Sequence, residues 1–210
     1  MNEFLYKVND TEYPVIVIHK RIKNIHFRFK EGKFVVTCNQ FTLKRQIIRG
    51  LDRFGEGLIK RSSKESPIGE DYIYLFGERY SIYPSGTIVI NDKEIKYKDI
   101  EQLKKKLKPV FEEILTKRVR YYEKLMKLPS YTVKVRNMTS RYGSNSKRTK
   151  NINFAFLLIH YSIEIIDSVV VHELAHIEVF NHSKKFYDVV YKYYPKYDEC
   201  HKKLRKGEFK

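Results

Sequence analysis

No apolar run in this 210-residue sequence approaches the roughly 18 residues needed to span a bilayer. The first residues, Met1 to Asp10, lack the basic-then-apolar pattern of a secretion signal. These two absences lead to the expectation of a cytoplasmic protein without a membrane partner. Cysteine is scarce. Cys38 and Cys200 stand alone, with no CxxC spacing, so neither a disulfide framework nor a cysteine metal site is expected. No helix-turn-helix, zinc-finger or RNP pattern occurs, which argues against those sequence-specific nucleic-acid binders. Acidic residues are in the minority, at 25 against 42 Lys and Arg.

The resulting charge of +17 is uneven. Residues 1–100 carry 18 Lys and Arg against 13 Asp and Glu, and residues 101–210 carry 24 against 12. Such a surface attracts polyanions and steers acidic partners. It leaves two readings open: a solvated lysine-rich surface, or contact with nucleic acid or an acidic substrate. Hydrophobic residues at 42% and aromatics at 14% are enough for a packed core and too many for a disordered chain. The length suits one medium domain, or a small and a larger lobe.

In the first 98 residues, 13–18 (YPVIVI), 25–29 (IHFRF) and 33–38 (KFVVTC) read as strands of an antiparallel sheet, with Glu31-Gly32 as a turn. From Thr42 to Ile59 the apolar residues take helical spacing. A polar loop follows from Arg61 to Glu70. Short strands are expected at Tyr72–Phe76, Tyr80–Tyr83 and Thr87–Ile90, separated by Gly77 and Pro84-Ser85-Gly86. Residues 99–128 form a long amphipathic helical pattern that Pro109 should kink or divide. Residues 131–136 and 151–157 alternate as strands around a polar run, 137–146, and a basic one, Lys147 to Lys150. A sheet edge there could hold an extended peptide by main-chain hydrogen bonds.

The chemistry concentrates in His172-Glu173-Leu174-Ala175-His176, followed by His182. Two histidines four apart on a helix share one face, so two imidazoles can meet one cation. Glu173 sits beside the first of them, within reach of a water held there. This is the H-E-x-x-H arrangement of zinc peptidases. His182, six residues beyond His176, points about 240° away if the helix continues. Its participation therefore requires the helix to stop. Asn181 offers a left-handed terminus, and Ser183 a cap for the next helix. Ser162 offers a cap for the motif helix, Pro195 can open a last helix, and Gly207 can close it. Apolar Ile163, Ile166, Val169, Val170 and Val171 predict a buried motif helix.

The string RYGSNS, then NINFAF, then IDSVVVHELAHIEVFNHSKKFYDVV closely resembles the YgjP-like metallopeptidases, kin of the SprT and WLM zinc peptidases of the zincin superfamily. The resemblance is specific from Arg141 to Phe186 and looser over the N-terminal half. Metzincins share the third-histidine spacing but place Gly three residues after the second histidine, where this chain has Val179. The family loop reads Arg-Trp-Gly-Ser-Cys; here it is Arg141-Tyr142-Gly143-Ser144-Asn145, so any role of that cysteine does not transfer.

The resemblance implies His172, His176 and His182 as ligands of Zn2+ and Glu173 as the catalytic acid/base. The implied fold class is α+β. A zincin-like core of a small antiparallel sheet and helices would occupy residues 99–210, after a mainly β lobe with one helix in residues 1–98. Arg141, Tyr142, Asn153 and Tyr187 are candidate substrate-binding residues; Tyr142, Arg141 and Tyr187 are also candidate oxyanion donors. Asp167, Glu178 and Asp188 are candidate outer partners of the ligand rings. The expected partner is a protein or peptide substrate. The alternative is a basic nucleic-acid-associated module with a structural or non-proteolytic zinc site.

Overall fold

A computed structural model describes residues 3–62, 65–82, 86–90 and 93–210. The chain divides into two compact units, Met1–Glu65 and Ser66–Lys210. Tyr83, Pro84 and Ser85 of the expected strand and turn, and Ser63 and Lys64 of the expected loop, lie outside the described residues.

The first unit holds β1 (Glu3–Val8), β2 (Thr11–His19), β3 (His26–Lys30), β4 (Lys33–Cys38) and α1 (Lys44–Ser62). The sheet order is β1-β2-β4-β3. Strand alternation sends Val15, Val17, Phe34, Val36 and Cys38 into a small core with Ile47 and Leu51 of α1. Glu31 and Gly32 both have positive φ, 52° and 73°, the conformation that closes a two-residue hairpin between β3 and β4. That hairpin docks through β4, which therefore runs parallel to β2. The sheet is mixed, where the sequence led to an antiparallel one.

The second unit begins with two hairpins, β5 (Tyr72–Leu75) with β6 (Glu78–Ser81) and β7 (Gly86–Ile90) with β8 (Lys93–Tyr97). Their Ile73, Leu75, Ile88 and Ile95 share one buried core with the helices that follow. Residues 66–98 thus pack with the C-terminal part, whereas the sequence suggested a division at 98/99. Helix α2 (Ile100–Met126) is continuous. Pro109 does not divide it, because Leu103, Leu107, Phe111, Leu115 and Val119 form an uninterrupted buried stripe across that position. Asp99 caps its start by accepting from the Gln102 N–H at 2.7 Å.

Next come β9 (Thr132–Arg136), β10 (Gly143–Ser146), β11 (Asn151–Ala155), a 3-10 turn over Phe156–His160, and helices α3 (Ile163–Glu178), α4 (Lys184–Tyr193) and α5 (Tyr197–Lys206). The three strands form a sheet in the order β10-β11-β9. β11 pairs antiparallel to β10 but parallel to β9, so this sheet too is mixed rather than antiparallel. The reason is topological: after β9 the chain crosses to the far edge, and the β10–β11 hairpin then closes back with β11 in the middle. β10 is an edge strand against α3. The described residues form a mixed α+β architecture with five α-helices. Among the described residues no helix is long and apolar enough to cross a membrane.

Candidate metal centre

Helix α3 is buried almost all round. Ile165, Ile166, Val170, Val171, Leu174 and Ala175 are inaccessible on its several faces. Its start differs from expectation. Ser162 stands at the N-cap without a side-chain cap; its N–H instead donates to the Phe209 carbonyl at 2.7 Å. Its end also differs. Val179 is extended, with φ of −127°, and its N–H donates to the Ala175 carbonyl at 2.9 Å. Asn181 is not left-handed. The helix stops because the chain turns extended at Val179. Ser183 begins α4 through its carbonyl, which accepts from Phe186 and Tyr187, and not through its hydroxyl.

This stop delivers His182. One nitrogen from each of His172, His176 and His182 lies within 4.8 Å of the others. The Nε2 atoms of His172 and His182 are 3.2 Å apart. Two nitrogens at about 2.0–2.1 Å from one tetrahedral ion are separated by about 3.3 Å, so this spacing fits a shared cation. The far sides of two rings are already engaged. With Nε2 facing inward, His172 Nδ1–H donates to the Tyr197 hydroxyl at 2.8 Å, and His176 Nδ1–H to the Val179 carbonyl at 3.3 Å. Such outer contacts fix tautomer and ring orientation. Phe186 of α4 is fully buried and packs against all three imidazoles, with centroid distances of 4.6–4.9 Å. Burial, helped by the neighbouring histidines, pushes the His172 pKa down to about 3. Burial also lowers His176. Neutral imidazole is the ligating form.

Glu173 is 5% exposed. Burial pushes its pKa up to about 8, against the opposing pull of the Arg141 charge. A cation among the three histidines would favour its carboxylate form. Gly143 of β10 lies directly on it: a Cβ there would stand 2.5 Å from Glu173 Oε1 and 2.7 Å from Cγ. Asn145 of β10 donates from Nδ2 to the Glu173 carbonyl at 2.8 Å, which ties the edge strand to the helix.

Arg141 borders two clefts that meet over Gly143, His172 and Glu173. One continues towards Tyr197, His201 and Leu204, the other towards Phe180 and His182. Tyr142 lines the first, but its hydroxyl is turned to Tyr161 at 3.3 Å and the Leu204 carbonyl at 3.4 Å. Asn153 contacts Ser144 Oγ at 3.5 Å from the neighbouring strand. Tyr187 lies beside His182, with ring centroids 6.4 Å apart. The three candidate outer partners are not hydrogen-bonded to the three imidazoles. Asp167 is bonded to Arg118 and Tyr122, while Glu178 and Asp188 are exposed. Tyr197 and the Val179 carbonyl fill those positions instead. Tyr197 carries no spacing signal, and a backbone carbonyl carries none at all.

Comparison with known families decides the class. The family described as YgjP-like, metallopeptidase domain, matches residues 23–207. The chain belongs to this family. As a YgjP-like metallopeptidase it is expected to use a divalent metal, and the histidine cluster is a donor set able to hold one. No curated protein matches the chain. Among solved structures, the zymogen of Pyrococcus abyssi abylysin is 18% identical, with a TM-score of 0.41 over 43% of this chain and 90% of that one. The zymogen of Methanocaldococcus jannaschii jannalysin is 20% identical, with a TM-score of 0.41 over 44% and 95%. Both are described as metallopeptidase zymogens.

Proposed function

We propose that this YgjP-like metallopeptidase is a zinc-dependent hydrolase of peptide bonds, with His172, His176 and His182 as ligands and Glu173 as general acid/base. The observation that carries the reading is the convergence of three imidazole nitrogens beside a buried carboxylate. Three neutral imidazoles suit zinc and leave a coordination position for the reaction. The ion, when bound, supplies a Lewis acid that polarises the peptide carbonyl and acidifies water.

The chain's own groups do the rest. Glu173 accepts a proton from the attacking water and returns it to the departing amine. Burial raises its carboxyl pKa, and a cation held by the three histidines would pull it back towards the ionised form that accepts the proton. Arg141 borders both clefts and is the cation available to a developing negative charge. The outer edge of β10 has no strand partner among the described residues and can take an extended peptide by backbone hydrogen bonds.

The test is metal analysis of the purified protein together with a peptide-library cleavage assay on wild type and Glu173→Gln. The expected result is about one zinc per chain in both and cleavage only in wild type. Undiminished turnover in Glu173→Gln would refute the role given to Glu173.

A further inference from the structure

The N-terminal unit contains a cleft that the peptidase reading does not use. β2 and β4 are parallel neighbours, in register at His19 and Cys38. Both are central strands and both finish at the same end of the sheet. After β2 the chain runs to β3; after β4 it runs to α1. The loops that follow these two strands enclose a cleft outside their carboxyl ends. Here it measures about 360 Å³, within the range of ligand clefts. It is lined by His19, Lys20, Arg21, Asn39, Gln40 and Phe41, with no acidic residue among them.

The lining has two distinctive parts. Lys20 and Arg21 are exposed and take part in no ion pair among the described residues. Phe41 is 81% exposed, the most exposed of the large hydrophobic side chains described. Its loop is nevertheless braced, since Asn39 Oδ1 accepts from the Phe41 N–H at 3.1 Å and the Asn39 carbonyl from Thr42 at 3.0 Å. The surroundings extend the positive field: α1 has Lys44 and Arg45 but no acidic residue in its first turn. Residues 1–65 carry 14 Lys and Arg against 7 Asp and Glu.

We propose that this cleft binds single-stranded nucleic acid, with a phosphate against Lys20 and Arg21 and a base stacked on Phe41. Cations that follow a backbone, combined with an aromatic platform for bases, are what sequence-tolerant single-strand binding requires. A duplex satisfies the cations but hides the faces of its bases, leaving Phe41 idle. An acidic peptide likewise satisfies the cations and gives Phe41 nothing to stack on. Asn39 and Gln40 place amide groups beside the platform, where a base presents its polar edge.

The experiment is fluorescence anisotropy of the full chain with a labelled oligothymidylate, titrated at several salt concentrations. Phe41→Ala should weaken binding at least fivefold, the low end of what one stacked base contributes. The pair Lys20→Ala with Arg21→Ala should flatten the plot of log affinity against log salt by about 1.4, from two lost phosphate contacts. All three side chains are exposed, so these variants should fold. A control pair on α2, Lys105→Ala with Lys124→Ala, should leave affinity and slope unchanged. The proposal is overturned if Phe41→Ala binds like wild type, or if the control pair weakens binding as much as the cleft pair. It is equally overturned if a duplex of the same length, or polyglutamate, binds as tightly as the single strand.

Discussion

At Gly143 one missing methyl decides how Glu173 lies. The residue needs no left-handed backbone; what it needs is space, because a Cβ would fall 2.5 Å from Oε1 and 2.7 Å from Cδ and Cγ. Contacts with three atoms of a buried side chain cannot be relieved by turning its tip alone. Gly143→Ala should therefore shift the carboxylate and lower kcat about 100-fold, the scale of a 1 Å misplacement. Zinc affinity should change little, because the atoms nearest that position belong to Glu173 and not to an imidazole. Steady-state kinetics with a metal-competition titration tests both halves; an alanine variant of normal kcat would show that Glu173 tolerates the crowding. Tyr197 makes the opposite prediction. Burial pushes its pKa up, and among the described residues its hydroxyl is the side-chain partner of His172 Nδ1. Tyr197→Phe keeps the ring and removes the acceptor. It should weaken zinc binding 10- to 100-fold, the usual cost of an outer contact, and affinity within threefold of wild type would refute this. These two residues also mark where the sequence falls silent. The His172–His176 pair was legible because helical spacing is a local rule, whereas His182 entered through the family resemblance, since helical spacing alone points it away. Gly143 and Tyr197 act across 30 and 25 positions respectively from the residues they serve, and no local pattern reports that.

Between elements, the motif helix is held by a polar clamp as well as by apolar burial. Arg118 of α2 donates from Nε to Asp167 Oδ1 at 2.7 Å and from its terminal nitrogen to Oδ2, and Tyr122 adds its hydroxyl at 3.2 Å. Asp167 is 7% exposed in its side chain and Arg118 34%. Truncating a buried partner costs more than the pair contributes, because the remaining charge is stranded. Arg118 is partly solvated, which reduces that penalty to about 2 kcal/mol. Asp167→Ala should thus lower Tm by about 4–8 °C. It should leave zinc affinity within a few-fold, since Phe186, Tyr197 and Val179 hold the ligand rings. A calorimetric scan and a zinc titration separate the two; a tenfold loss of affinity would restore Asp167 as a partner of the centre. Element existence was readable where apolar periodicity was strong, as in α1, α2, α3 and β2. It failed at β1, β8 and β10. β8 reads Lys-Glu-Ile-Lys-Tyr and β10 Gly-Ser-Asn-Ser, with little or no apolar alternation to read, and β10 exists because β11 supplies its backbone partners and α3 covers it. The sheets became mixed for a related reason: strand direction is set by where a hairpin docks, which alternation within a strand cannot encode.

For the whole molecule, the two separate cores make a further prediction. Among the described residues the N-terminal core holds seven buried side chains, one of them Phe34, which meets Tyr6, Tyr13 and Phe29 edge to face. A unit of this size is marginally stable. Phe34→Ala costs about 3–5 kcal/mol, comparable with everything such a unit has. The site histidines draw on a different core, built from α2, α3, α4 and the strands beside them. Hydrogen exchange on this variant should show protection lost through residues 3–62 and kept through α2 and α3. Zinc affinity and peptide cleavage should survive, while oligothymidylate binding should disappear with the cleft between the ends of β2 and β4. Loss of zinc binding in the same variant would mean that the two cores unfold as one cooperative body. Survival of oligonucleotide binding would place that contact on the basic surface of the second unit instead. One substitution in the smaller unit therefore tests the physical independence of the cores and the assignment of one activity to each.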